Sequence, residues 1–282
     1  MADPSKAVLI TGCSTGIGRA TAERLASGGF TVYATARKLE AVADLEAKGC
    51  RTLALDVTDD ESMQAAVTTV EEAEGAVGVL VNNAGYSQSG AVESIDIDEV
   101  RAQFETNVFG LVRMSQLVLP GMRAQGYGRV VNVGSMGGKL TFPGGGIYHG
   151  TKYAVEALSD ALRFEVKGFG VKVVLIEPGL IKTHFADAAV SALTAGTTDD
   201  GPYGEFNQAV GASTVSSYDG PLGRLGGGPE TVAKAIEKAL TRRRPKPRYP
   251  VTPSARLIMG QRRLLSDRMW DRFVGSQFPQ PR

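Results

Sequence analysis

The chain predicts an α/β protein built on a doubly wound parallel sheet. Three observations carry that expectation. Short β-branched runs alternate with amphipathic helical patterns through the first 240 residues. The run Val171-Lys172-Val173-Val174-Leu175-Ile176 is apolar throughout apart from its lysine, as in a strand buried on both faces. A glycine-rich turn joins the first strand to the first helix. Strands that alternate with helices imply right-handed βαβ crossovers and a parallel sheet covered on both sides.

In chain order, strands are expected at residues 7–11, 31–36, 51–56, 77–82, 128–135 and 171–178. Helices are expected over 18–27, 59–74, 96–123 and 148–168. No repeat of 20–50 residues breaks this rhythm. Residues 184–228 depart from it: they are rich in Ala, Gly, Ser and Thr and are expected to form a substrate lid over the sheet's C-terminal edge. Residues 241–282 form a basic extension, with a short extended piece after Pro247 and then a helical pattern over 255–274. Leu257, Ile258, Leu264, Leu265, Met269, Trp270 and Phe273 could lie there on one stripe. The whole of 1–282 is expected to be one domain.

Composition narrows the class. Apolar residues are 43% and charged residues 22%, an ordinary globular balance. No apolar run approaches the roughly 20 residues that span a bilayer, and the N-terminus lacks a signal-peptide layout. With only Cys13 and Cys50, in no paired spacing, a reducing cytoplasmic setting is expected. His149 and His184 are the only histidines, so no metal site is expected. Net charge is +1, but 241–282 carries +9 and the rest −8. The basic tail reads as a solvated or subunit-facing segment; peripheral membrane contact stays open, and no nucleic-acid partner is expected.

The turn reads Thr11-Gly12-Cys13-Ser14-Thr15-Gly16-Ile17-Gly18. Glycines let backbone approach a pyrophosphate, and the following helix N-terminus offers free N–H groups. The spacing is Gly-x3-Gly-x-Gly, not the commoner Gly-x-Gly-x-x-Gly. Strand two ends Ala34-Thr35-Ala36-Arg37, with no carboxylate to repel a 2′-phosphate and a guanidinium to grip it. NADP(H) is therefore the expected cofactor, with NAD(H) as the alternative. Farther on, Tyr148 and Lys152 stand four residues apart and share a helix face, with Ser135 thirteen residues upstream. A nearby ammonium is expected to lower the tyrosine pKa from about 10, giving a proton donor for ketone–alcohol interconversion. His149 points about 100° away from Tyr148 and reads as packing or solvent. Glu156, Asp160 and Glu165 read as polar-face charges, and Cys13 as a small packing residue.

Together these residues resemble the short-chain dehydrogenase/reductase family, over about residues 6–183. The resemblance implies a Rossmann-type fold with seven parallel strands in the order 3-2-1-4-5-6-7, and a homodimer or homotetramer. Asn107, Ser135, Tyr148 and Lys152 match the family's catalytic tetrad. It implies that Tyr148 exchanges a proton with the substrate oxygen, that Ser135 positions that oxygen, that Lys152 binds the nicotinamide ribose, and that Asn107 holds a relay water. Cofactor contacts are implied at Gly12, Ser14, Thr15, Gly16, Ile17 and Gly18 in the turn, and at Arg37, Asp56 and Val57. Asn83, Ala84 and Gly85 follow strand four, and Pro178, Gly179, Ile181 and Thr183 match the carboxamide-binding segment.

Substrate choice is expected in 86–89, 136–147 and the lid, with Ser135, Tyr148, Met136, Gly145 and Phe185 as contacts. These segments are mainly apolar, aromatic or glycine, which suits a hydrophobic ketone, aldehyde or secondary alcohol. Within the family, Tyr33–Arg37 and Ser135-Met136-Gly137-Gly138 are similar to the 17β-hydroxysteroid and retinol dehydrogenase branch. A nucleotide-bound regulatory protein on the same fold, and an NAD-dependent alcohol dehydrogenase, remain as alternatives.

Overall fold

A computed structural model of the chain describes residues 3–183 and 201–280. Seven strands form one parallel sheet: β1 (Val8–Ile10), β2 (Val32–Ala36), β3 (Arg51–Ala54), β4 (Val79–Asn82), β5 (Gly128–Val133), β6 (Val171–Glu177) and β7 (Arg248–Pro250). Their order is β3-β2-β1-β4-β5-β6-β7, as the family resemblance implies. Six fall where the β-branched runs predict them. The seventh is the short extended piece after Pro247, paired to β6 through Leu175↔Arg248 and Ile176↔Tyr249.

Alternation along the strands feeds two cores. Val8 and Ile10 of β1 face α1 (Gly16–Ser27), joined there by Val232 and Ile236 of α7 (Pro229–Thr241). Leu9 faces the other side, with Met63 and Val67 of α2 (Asp60–Glu74) and Met114 and Val118 of α4 (Gly110–Ala124). Burial on both faces is why these strands read as continuous apolar runs. Helix α2 shows how local sequence sets an element. Asp59 caps it by accepting from Glu61 N at 3.0 Å, and Asp60 and Glu61 add favourable charge in the first turn. Gly75 ends it at φ +84°, a conformation open to glycine.

Two expected helices are corrected. The pattern over 96–123 is not one helix: α3 (Ile97–Phe104) passes through a π-helical turn at Glu105–Phe109 before α4 begins. The π turn is a single wide turn inside a helical pattern, and no residue type in Glu105–Phe109 announces it. The tail pattern over 255–274 is likewise two helices, α8 (Pro253–Leu264) and α9 (Asp267–Gly275). Leu265 leaves helical geometry at ψ 137°, which shifts the phase and breaks the expected stripe. Ile258 and Trp270 are buried, but Leu264 is 86% exposed and Leu257, Met269 and Phe273 also face out. Ile258, Trp270 and Val274 form a third core with Leu140, against which Met136 and Phe142 pack.

The remaining helices are α5 (Gly146–Glu165) and α6 (Gly204–Asp219). The expected lid contact Phe185 and the stretch 184–200 lie outside the described residues. Among the described residues no helix is long and apolar enough to cross a membrane. Strand order reverses between β1 and β4, so a crevice opens at the strands' carboxyl ends there, where ligands bind in open α/β sheets.

Candidate active site

The crevice is a cleft of about 1080 Å³, running from the ends of β2 and β3 to α6. The β1 turn is tied to the loop after β4. Thr11 Oγ1 accepts from Asn83 N and Ala84 N, both at 3.0 Å, and Asn83 Nδ2 donates to Thr11 O and Gly12 O, both at 2.9 Å. Gly12 and Gly16 have φ +72° and +60°, which a side chain would strain. A Cβ on Gly18 would lie 2.2 Å from Gly12 O. Thr15 makes no side-chain cap on α1, so among the described residues the first-turn N–H groups have no side-chain acceptor, and they sit at a cleft wall made by Gly12, Ser14, Thr15, Gly16 and Ile17. That cradle fits a dinucleotide pyrophosphate.

Arg37, Asp56 and Val57 line the same end. Asp56 is held by Thr58, whose N–H and hydroxyl donate to Oδ1 at 2.9 and 2.8 Å. Arg37 is exposed and makes no hydrogen bond or ion pair to another described residue, which leaves its guanidinium available to a phosphate. Across the cleft, the segment after β6 returns along it. Met136 N donates to Pro178 O at 2.8 Å, Leu180 N donates to Ser254 Oγ at 3.3 Å, and Ile181 bridges to Gly227. Thr183 faces the glycine turn, its Cγ2 3.6 Å from where a Gly16 Cβ would stand.

The tetrad residues converge at the middle of the cleft. Ser135 follows β5, accepts from Gly137 N at 3.0 Å, and hydrogen-bonds the Tyr148 phenol. Lys152 Nζ donates to Val133 O at 2.9 Å and stands 5.7 Å from the Tyr148 ring centre. Asn107 sits in the π turn; its Nδ2 donates to Tyr86 O at 2.9 Å and Thr151 Oγ1 at 3.1 Å. Asn107 and Lys152 flank Gly85: a Cβ there would lie 3.0 Å from Asn107 Oδ1 and 3.9 Å from Lys152 Nζ.

The electrostatics correct one expectation. Burial pushes the Tyr148 phenol above its ordinary value, the Ser135 hydrogen bond opposes that, and the nearby Tyr218 phenol adds to it. The lysine is not the dominant influence on the phenol. Burial instead pushes Lys152 itself down to about 8, so its charge is already costly near neutral pH. His149 packs as expected, with its ring 6.3 Å from that of Phe142 and its Nδ1 accepting from Phe142 N at 3.4 Å; burial holds it down at about 4. Cys13 is buried and donates to Ile10 O at 3.4 Å, its thiol pushed up to about 12.

Glu156 is not a polar-face charge: it is 4% exposed, one turn beyond Lys152, in contact with Lys139 and Arg248. Asp160 and Glu165 are exposed, as expected. At the substrate end, Met136 and Gly145 line the cleft with Leu140 and Phe142, and Trp270 backs Phe142 at 5.8 Å between ring centres. Val210, Thr214 and Tyr218 of α6 line the opposite wall. Their i, i+4, i+8 spacing was present in the sequence, but the segment's weak apolar character hid it. No cluster of three or more potential metal-ligating side chains occurs among the described residues.

A sheet of this order, a glycine turn at the switch point and a Ser–Tyr–Lys cluster beside it define a dinucleotide-dependent oxidoreductase. The short chain dehydrogenase family profile matches residues 6–193, and the chain belongs to that family. It is an oxidoreductase acting on CH–OH groups with a nicotinamide cofactor. It is 36% identical over 273 residues to an NADPH-dependent 3-dehydrocapnine reductase from Ornithobacterium rhinotracheale, covering 94% of each chain. It is 38% identical over 259 residues to human 17-beta-hydroxysteroid dehydrogenase type 1, covering 87% of this chain and 77% of the relative. A short chain dehydrogenase/reductase from Burkholderia phymatum, solved in complex with NAD, superposes with TM-score 0.78 at 27% identity, covering 100% of this chain and 98% of that one.

Proposed function

We propose that the protein is an NADP(H)-dependent reductase of hydrophobic ketones or aldehydes, with Tyr148 as the proton donor. The observation that carries this reading is the meeting of Ser135, Tyr148 and Lys152 in a cleft that ends at an unpaired Arg37. Gly12, Ser14, Thr15, Gly16, Ile17 and Gly18 would hold the pyrophosphate. Arg37 would take the 2′-phosphate, Asp56 and Val57 the adenine, and Asn83, Ala84 and Gly85 the neighbouring ribose. Pro178, Gly179, Ile181 and Thr183 would flank the nicotinamide, whose reducing equivalent is the chemistry the cofactor supplies when bound.

The protein's own groups do the rest. The raised phenol keeps its proton through the neutral range, so Tyr148 is ready to donate as negative charge develops on the carbonyl oxygen. Ser135 donates a second hydrogen bond to that oxygen and stabilises the same charge. Lys152, tied to Val133 O, has spare N–H donors for a ribose hydroxyl and lies close enough to Asn107 across Gly85 for a proton relay through water. In the oxidative direction Tyr148 must lose its proton, which burial makes harder. Oxidation is therefore expected to need a higher pH than reduction.

The apolar substrate end, with Met136, Gly145, Leu140 and Phe142, supports a lipophilic carbonyl. The activities of two relatives, a 3-dehydrocapnine reductase and a 17-beta-hydroxysteroid dehydrogenase, support the same choice. Exposed Phe109, Tyr153 and Phe164 near or on α4 and α5 support a homodimer or homotetramer. Two free, buried cysteines support a reducing, cytoplasmic setting. The test is NADPH oxidation against a panel of lipophilic and small polar carbonyls. Turnover of sugars with none of lipophilic ketones would end the substrate reading, and full activity in Tyr148→Phe would end the mechanism.

A further inference from the structure

Below the cleft floor lies a buried pair of acids that the reaction scheme does not use. Glu156 of α5 and Glu177 at the end of β6 are 4% and 2% exposed. All the basic contacts to Glu156 fall on one oxygen. Its Oε2 takes Lys139 Nζ at 2.5 Å, Arg248 Nε at 3.1 Å and Arg248 Nη2 at 3.0 Å. Its Oε1 is buried and has no cationic, amide or hydroxyl donor. The Glu177 carboxyl is in hydrogen-bonding contact with the Glu156 carboxyl, and itself sees Arg248 Nε only at 3.5 Å. Two ionised carboxylates are acceptors only and cannot bond to each other. A protonated one can, and its O–H would satisfy the orphan oxygen.

We infer that Glu177 and Glu156 share one proton, held by Glu177 as donor to Glu156 Oε1, and that this bond positions the Pro178–Gly179 segment against the helix bearing Tyr148 and Lys152. The site's geometry gives the bond leverage. Glu177 directly precedes Pro178, and Glu156 lies one turn beyond Lys152, which is one turn beyond Tyr148. The turn that carries Ser135 is seated on the same spot: a Cβ on Gly138 would lie 2.8 Å from Lys152 O and 2.9 Å from Glu156 Cγ. Met136 N holds Pro178 O at 2.8 Å, and Val251 N holds Glu177 O at 3.1 Å. The acid pair thus joins β6, α5, β7 and the Ser135 turn.

The cations around the pair oppose the shared proton, but burial and the second carboxylate outweigh them. Lys139 faces it from the Ser135 turn and Arg248 from β7. Asp160, from α5, competes for Arg248 at 2.6 Å, while Arg163 reaches only Asp160 among these acids, at 2.7 Å. Burial first, and then Glu156, push Glu177 up, to about 7. Ionising Glu177 replaces a bond with a buried repulsion. Glu177 acts here through the segment it anchors, as a positioning residue.

The positioning half rests on the proposed cofactor site, so the test has two parts. Infrared difference spectra of the full chain across neutral pH are expected to show a protonated-carboxyl band that disappears on the alkaline side and is missing from Glu177→Gln. Absence of the band from the wild type, or its persistence in the variant, overturns the shared proton whatever the cofactor does. NADPH titrated by fluorescence is expected to bind the wild type at least about fivefold more weakly above neutrality than below it, beyond any change in Glu177→Gln. Glutamine keeps a neutral donor at every pH, while titration of the cofactor phosphate and of Lys152 cancels between the two proteins. Parallel pH profiles overturn the positioning role. Failure of the wild type to bind NADPH at any pH overturns it together with the functional reading, and leaves the infrared result standing on its own.

Discussion

Replacing Gly18 by alanine probes the cofactor turn with a single methyl group. Gly18 is the third glycine of the turn and sits in the first turn of α1, so helical φ/ψ is no obstacle to alanine. The obstacle is space. The new Cβ would stand 2.2 Å from Gly12 O and 2.5 Å from Asn83 Nδ2. Neither neighbour is a free flexible end: Gly12 O is backbone, and Asn83 Nδ2 is already bonded to Thr11 O and Gly12 O at 2.9 Å. The helix must move off the turn by roughly an ångström, at an overpacking cost of ~1–3 kcal/mol. Breaking one Asn83 hydrogen bond adds ~1 kcal/mol. A total near ~3 kcal/mol lowers the melting temperature by several degrees. The same shift withdraws the α1 N–H groups from the pyrophosphate, and loss of one charge-assisted bond of ~1.5–3 kcal/mol weakens binding about tenfold to a hundredfold. The assay pairs thermal unfolding with NADPH fluorescence titration. Gly18→Ala that binds NADPH within a factor of two of wild type would refute the assignment of this turn to the pyrophosphate.

Three further outcomes are expected. Arg37→Ala should weaken NADPH about tenfold or more and leave NADH nearly unchanged; equal losses for both cofactors in paired titrations would remove the 2′-phosphate role. Lys152→Met should abolish turnover yet raise stability near neutral pH. The folded lysine sits near 8 against an ordinary 10.5, so the wild type loses stability below that window and regains it as pH rises from 8 to 10.5. The upper bound is ~3 kcal/mol, less ~1 for the lost bond to Val133 O, and pH-dependent urea melts in which both proteins keep a constant gap would contradict it. Trp270→Ala should cost ~3–5 kcal/mol and raise KM for lipophilic carbonyls more than it lowers kcat, because Phe142 loses its backing. An unchanged KM would detach the tail from substrate binding.

Much of the fold was legible because each feature obeys a local rule. Doubly buried strands are β-branched throughout, so 171–176 announces β6. The glycine turn carries its own conformational demands, and Tyr148 and Lys152 meet because helices repeat every 3.6 residues. Asn107 was found through family resemblance, since nothing local marks a π turn. What escaped depends on partners far along the chain. β7 has three residues and exists because β6 offers it an edge. Glu156 reads as a surface charge until Lys139 and Arg248 fold over it, and Glu177 reads as an ordinary strand end. The break at Leu265 is marked only by Ser266-Asp267, the start of the next helix, which is easily read as two polar positions of one longer helix. The raised phenol of Tyr148 follows from burial, which residue spacing does not reveal.

Tyr148 supplies the proton, and the cofactor the hydride, for reduction of a carbonyl in the function proposed above. The direct test is to incubate the protein with a lipophilic ketone and NADPH carrying deuterium at both C4 positions of the nicotinamide, then weigh the alcohol by mass spectrometry. Wild type should yield alcohol carrying one deuterium, and Tyr148→Phe, bound to the same cofactor, should yield none. Unlabelled alcohol from the wild type, or equal labelled product from the variant, would rule out this chemistry.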